Sequence, residues 1–193
     1  VDRQTRSSGS PLQEPRHGSS QLSLTRHLDL VQPKPRLVEL ADILDPERIS
    51  LEFAASSKKT LLEQAAELLS TGAESAHARD VFDSLCQRER LGSTGLGHGV
   101  AIPHGRVEGQ GVVTGALIRL HSGIQFDAPD NEPVDLFFAM AVPARCTDIH
   151  LRLLAGIAER FGSKDCRDRL RSAETADAIM KIISEPASGA EPG

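Results

Sequence analysis

The stretch Gly92-Ser-Thr-Gly-Leu-Gly-His-Gly-Val-Ala-Ile-Pro-His104-Gly-Arg106 carries more structural instruction than any other in this chain of 193 residues. Its four glycines between 92 and 99 let the backbone take φ > 0 and pass close to a partner without side-chain clash. Val100-Ala101-Ile102 is a short apolar run and predicts the start of a buried strand. Pro103, which lacks an N–H and fixes φ, predicts the end of that strand. His104 then falls at a strand end beside Gly105, which offers no shielding. An imidazole held rigidly at an open edge has the geometry of a nucleophile or a proton carrier. A strand-end histidine that only hydrogen-bonds its own loop satisfies the same pattern.

On either side of this stretch, segments of two kinds alternate. A short helix is predicted over Leu37–Leu44, stopped near Asp45-Pro46, then a short strand over Ile49–Phe53. Ser57 is a candidate N-cap for a helix over 58–70, with Leu61, Leu62, Ala65, Leu68 and Leu69 inward. A second helix is predicted over 76–90 with Ala78, Val81, Phe82 and Leu85 on one side. Beyond the glycine stretch, Gly111–Leu120 reads as a strand, Phe126–Asn131 as a turn, and Val134–Val142 as a buried strand. Thr147 is a candidate N-cap for a helix over 148–162, striped by Ile149, Leu153, Ile157 and Phe161. Short helices over 165–171 and 174–184 follow. Helices alternating with buried strands imply an α/β class, with a single domain and helices on both faces of a sheet.

Composition narrows the function. The chain is 39% hydrophobic with no Trp or Tyr and six Phe, so its core is aliphatic. Cys86, Cys146 and Cys166 form no CxxC and cannot all pair, which points to a reducing, cytoplasmic setting. The longest apolar run, Leu136–Val142, is too short to span a bilayer, and no signal-peptide pattern opens the sequence. Residues 1–37 are rich in Ser, Pro, Arg and Gln and predict a disordered or extension tail; residues 187–193 predict a second frayed end. The tail carries six Lys/Arg against three Asp/Glu, which leaves 16 basic and 24 acidic groups on the remainder. An acidic domain argues against nucleic acid as its main ligand.

Two further residues stand out. On a helix, Arg88 shares a face with Val81 and Leu85 (i, i+4, i+7), so its guanidinium either meets an anion or hydrogen-bond partner or snorkels to water. Arg90 points the opposite way. Near His104, Arg88 could act on it. His150 falls in the first turn of the helix predicted from 148, where the dipole favours a neutral imidazole able to donate one hydrogen bond. A first-turn surface histidine is the competing reading.

With Arg88-Glu89 ahead of it and Phe126-Asp-Ala-Pro-Asp-Asn-Glu-Pro-Val-Asp-Leu136 behind, the fifteen-residue stretch resembles the IIA domains of the bacterial phosphoenolpyruvate-dependent phosphotransferase system. The resemblance is to the mannitol/fructose type and, within it, to the nitrogen-regulatory branch. It covers roughly residues 38–185 and places the domain over 38–186. It implies a mixed, roughly five-stranded sheet sandwiched between helices. It also implies a phosphocarrier, in which a phosphoryl group passes from a phosphohistidine on an HPr-like carrier (NPr type) to His104. Arg88 would then hold the phosphoryl oxygens, and His150 would support by hydrogen bonding.

The residue types suit such a transfer. Phosphoryl transfer has a loose transition state with charge on three equatorial oxygens, so positioning and electrostatics dominate. A neutral imidazole is the right nucleophile near pH 7, and arginine offers charge-assisted hydrogen bonds. Transfer between histidines needs no metal or cofactor, and the histidines show no HxxxH spacing. His98 sits at a variable place in the motif and receives no role.

Three functions stay open on these grounds. One is a regulatory phosphocarrier whose output is phosphorylation-dependent contact with target proteins. Another is a fructose/mannitol-type IIA enzyme passing phosphate to a IIB domain, and a third is a non-catalytic binding module. A metal hydrolase using His98, His104 and His150 is more remote. His104-Gly-Arg106, where mannitol-type domains more often have Gly-Thr, favours the regulator. So does the lack of IIB, IIC or HPr-like sequence within these 193 residues.

Overall fold

The computed structural model describes residues 39–72, 75–145 and 148–185, without the side chains of 148–150. The predicted tails over 1–37 and 187–193, a helix start at Leu37 and the Thr147 cap lie outside the described residues. Among those described, six helices and six strands follow in runs rather than in strict alternation: α1 (Leu40–Ile43), β1 (Leu44–Phe53), α2 (Lys58–Leu69), α3 (Ala78–Arg90), β2 (Gly95–Gly97), β3 (Val100–Ala101), β4 (His104–Val107), β5 (Thr114–Ile124), β6 (Val134–Pro143), α4 (Asp148–Gly162), α5 (Lys164–Ser172) and α6 (Ala176–Ser184).

The sheet runs β1-β5-β6-β3-β2, with β4 also pairing to β6. It is mixed: β5 and β6 are antiparallel, and so are β2 and β3, while β1 runs parallel to β5 and both β3 and β4 run parallel to β6. Residues 136–142 are apolar without alternation because β6 is covered on both faces. Leu136, Phe138, Met140 and Val142 enter one core, with Leu153, Ile157 and Phe161 of α4, Leu170 of α5 and Ile179, Ile182 and Ile183 of α6. Phe137, Ala139 and Ala141 enter the other, with Leu61, Leu62, Ala65 and Leu69 of α2 and Val81 and Leu85 of α3. A side-chain period of two thus sorts one strand into two cores.

Helix starts follow the caps. Ser57 Oγ accepts from Thr60 N at 3.1 Å, Ser163 Oγ from Cys166 N at 3.4 Å and Thr175 Oγ1 from Ala178 N at 3.1 Å. Each satisfies a donor that the first turn leaves open.

Several boundaries differ from expectation. The helix expected to run to Leu44 ends at Ile43, and β1 begins at once and carries Pro46. β1 is an edge strand with a register shift between Leu44 and Ile49, and edges and bulges are where a strand tolerates proline. β5 begins at Thr114 rather than Gly111. Buried Gln110 holds the segment before it as a loop, donating to Val112 O at 2.8 Å and Thr114 Oγ1 at 3.1 Å and accepting from Ala76 N at 2.9 Å. Phe126, expected in a turn, is fully buried edge-to-face on Phe137, with ring centroids 5.6 Å apart. The sheet has six strands where about five were expected, because the glycine stretch itself contributes β2 and residues after Pro103 contribute β4.

β3 stops at Ala101, just before Pro103, as the missing donor predicts, and β4 pairs among the described residues with β6 alone, so His104 opens an edge strand. Val100 and Ala101 pair with Leu136 and Phe137, and His104 and Gly105 pair with Met140 and Ala141, in unchanged register across the proline. Pro103 has no donor, but its carbonyl still accepts from Met140 N at 3.0 Å. The strand is interrupted on one side only and resumes at His104.

Candidate functional site

His104 opens β4 and is half-buried. On one side lies β6; on the other, the C-terminal half of α3 packs across, and Ser84 Oγ donates to Arg106 O at 2.8 Å. Arg88, in the last turn of α3, donates from Nε to His104 Nε2 at 3.1 Å and from Nη1 to Gly92 O at 3.0 Å. The expected convergence of Arg88 and His104 is therefore present, and the arginine does not simply snorkel. A guanidinium can only donate, so Nε2 is the acceptor nitrogen. The ring proton accordingly resides on Nδ1, which donates to Ile102 O at 2.9 Å. The imidazole is thus locked at both nitrogens, as its Nδ1–H tautomer.

The same surroundings keep it neutral. Burial pulls the His104 pKa below its ordinary 6.5 and the Arg88 charge acts the same way, against the Ile102 carbonyl and the Glu89 carboxylate. At neutral pH Nε2 keeps its lone pair, which accepts from Arg88 Nε.

This ring lines an open cavity of about 340 Å³ together with Ser84, Gln87, Arg88, Leu91 and Arg106. Leu91, at its mouth, is 82% exposed. A shallow opening with an exposed leucine and a basic wall suits a protein partner better than an engulfed small molecule. A larger cavity, about 1070 Å³ and lined by α2, α3 and the end of β4, does not include His104 in its lining.

Not every candidate falls here. His150 lies in the first turn of α4, as the periodicity predicted, but its side chain lies outside the described residues. His98 lines a different cavity, with Asp135 and Arg171. Its own N–H donates to Asp130 Oδ2 at 2.7 Å. Among the described residues no three His, Cys, Asp or Glu side chains gather as a metal site, and no helix is long and apolar enough to cross a membrane.

Sequence reasoning missed Glu89. It is 9% exposed, and its carboxylate accepts from Thr94 N at 3.1 and 3.2 Å and from Thr94 Oγ1 at 2.5 Å. Lys58 Nζ ion-pairs with it at 2.7 Å. Lys58 also donates to Phe126 O at 3.2 Å and Asp127 Oδ2 at 3.0 Å, and lies 4.3 Å from the Phe126 ring centroid. Burial lowers the Lys58 pKa, but its bonds to Glu89 and Asp127 outweigh that and leave it above the ordinary value. The available signal was spacing: Val81, Leu85 and Glu89 fall at i, i+4 and i+8, squarely on the buried stripe.

Comparison with known proteins agrees with this geometry. The sequence model of the family described as phosphoenolpyruvate-dependent sugar phosphotransferase system, EIIA 2, matches residues 42–185. The nitrogen regulatory protein of Pseudomonas aeruginosa is 42% identical over 153 residues, covering 79% of this chain and 99% of that protein. The nitrogen regulatory protein of Escherichia coli K12 is 38% identical over 149 residues, covering 77% and 91%. The crystal structure of nitrogen regulatory protein IIA-Ntr from Neisseria meningitidis superposes with a TM-score of 0.71 at 43% identity, covering 75% of this chain and 98% of that one. With the fold, the histidine motif and the matched span in agreement, the chain belongs to the EIIA type 2 family of the phosphoenolpyruvate-dependent sugar phosphotransferase system.

Proposed function

We propose that this chain is a nitrogen-regulatory IIA phosphocarrier, which takes a phosphoryl group from the phosphohistidine of an HPr-like carrier onto Nε2 of His104. The observation that carries the reading is the doubly anchored imidazole. With Nδ1–H on the Ile102 carbonyl, Nε2 holds its lone pair toward the open cavity and the Arg88 guanidinium.

The Nε2 lone pair forms the new N–P bond as the N–P bond of the donor breaks, and that electron pair returns to the donor's imidazole. With the donor ring protonated on its other nitrogen, it leaves as neutral imidazole and no proton has to move. The His104 proton stays on Nδ1, where the Ile102 carbonyl stabilises the imidazolium that forms. Arg88, which occupies Nε2 at rest, turns its N–H groups onto the incoming phosphoryl oxygens and stabilises their charge. His150 is proposed to donate a further hydrogen bond from the N-terminal turn of α4. Exposed Leu91 and Arg106 border the face on which a carrier protein in the cytoplasm would dock.

The regulatory reading is supported by the names of the relatives above and by Gly105-Arg106 after the histidine. Phosphorylation adds roughly −1.5 to −2 charge at this face, enough to change which partner docks. The other reading within the family is a sugar-specific IIA component that passes phosphate to a IIB domain.

Intact-mass measurement after incubation with phosphoenolpyruvate, Enzyme I and an HPr-type carrier tests the proposal. One acid-labile phosphate is expected on the native chain and none on His104→Ala. Absence of an adduct with any carrier would overturn it. Rapid onward transfer to a fructose- or mannitol-type IIB domain would favour the sugar-specific reading.

A further inference from the structure

We infer that Glu89, held between Lys58 and Thr94, is a positioning residue for phosphoryl transfer, fixing both the tautomer of His104 and the aim of Arg88. The inference rests on the reading of His104 as the phosphoryl acceptor.

Glu89 breaks a local rule. A carboxylate in the last turn of a helix opposes the helix dipole, and a buried carboxylate needs compensation. Here both costs fall on one residue, in the turn that carries Arg88. Such local conflicts concentrate at functional sites. The compensation is complete and specific: two hydrogen bonds from Thr94, through its N–H and its hydroxyl, and the Lys58 ammonium.

What those bonds connect gives them a role. Thr94 O accepts from Ile102 N at 2.9 Å, and Ile102 O is the acceptor for His104 Nδ1. A continuous path therefore runs from Glu89 through Thr94 and Ile102 to the imidazole. Along the helix, Glu89 directly follows Arg88, so about 100° of rotation separates their side chains. Pinning the carboxylate inward fixes the rotation of the last turn and directs Arg88 at Nε2. One buried group thus sets both anchors of the ring. Lys58 carries the constraint to a third element, the first turn of α2, and to the carbonyl of Phe126. Ser93 Oγ donates to that same carbonyl at 2.8 Å, tying in the start of the glycine stretch.

The test reads the ring itself. In ¹⁵N spectra of the unphosphorylated protein, His104 is expected as the Nδ1–H tautomer. In Glu89→Gln, which keeps the shape but lacks the charge, a mixture of tautomers is expected, and phosphate acceptance should slow about tenfold to a hundredfold. Thr94→Val removes only the hydroxyl bond and should give a smaller change in the same direction; it also serves if Glu89→Gln does not fold. A folded variant with the native tautomer, whether its rate is native or falls only with its Tm, would overturn the inference. The spectroscopic arm needs no phosphate donor. A native chain that takes no phosphate would thus sink the functional reading, and an unmoved tautomer would sink this one.

Discussion

Replacing Arg88 with lysine keeps the charge and removes the Nε–H that meets His104 Nε2. Lysine is a point charge without the planar fork, so phosphate acceptance is expected to slow about tenfold to a hundredfold. Tm should stay near native, because the side chain is only half-buried. Quench-flow transfer rates beside thermal melts check both halves. His104 itself predicts a pH dependence. Its folded pKa lies below the ordinary 6.5, so below that pH the unfolded chain binds more protons than the folded one. Stability is therefore lost on acidification through 6.5 toward the lower folded value and regained at neutral pH. An NMR titration of the ring with a midpoint at or above 6.5 would contradict this. At this scale the sequence was informative where helical spacing applied. Arg88 declared itself by sharing a face with Val81 and Leu85. Glu89 shares that stripe by spacing, but a glutamate beside two arginines at a helix end reads as solvated charge until Thr94 and Lys58 are brought to it in space.

Between elements, contact distance decides what is tolerated. A Cβ on Gly105 would lie 2.5 Å from Ser84 Oγ and 3.1 Å from Leu85 N. The second of these is helix backbone and cannot swing aside. Gly105→Ala is expected to push α3 off β4, lengthen the Arg88–His104 bond and slow phosphate acceptance at least about tenfold, with a loss of roughly 1–3 kcal/mol in stability. Gly99 has φ +77, and a Cβ there would lie 2.5 Å from both Arg171 Nη2 and Asp135 Oδ1. Gly99→Ala should cost about 1–3 kcal/mol in urea unfolding. The close approach promised by the glycine stretch is in these cases an approach to the chain's own helix and ion pair. Pro103 ends β3 as its missing donor predicts, yet its carbonyl accepts from Met140 N and keeps the register, so pairing resumes at His104.

Across the whole molecule, β6 divides two cores, and its alternating residues serve each in turn. Phe137 belongs to the core under α2 and α3, and Phe138 faces Phe161 with ring centroids 5.8 Å apart. Phe137→Ala is expected to cost about 3–5 kcal/mol, measurable as a lower midpoint in urea. The unbroken apolar run over 136–142 made a doubly covered strand legible. The order β1-β5-β6-β3-β2 was not, since pairing between strands distant in sequence leaves no local pattern. The interrupted strand β3-Pro103-β4 has a consequence for biosynthesis. His104 is translated before its floor, β6, which ends at Pro143, 39 residues later. Domains made on the ribosome fold as units once enough chain has emerged. The histidine therefore exists before it can work, and a nascent or truncated chain stopping short of Pro143 should be unable to carry phosphate. Loading with phosphate would then report that synthesis and folding have both passed the central strand of the sheet, a quality check built into the order in which the strands are made.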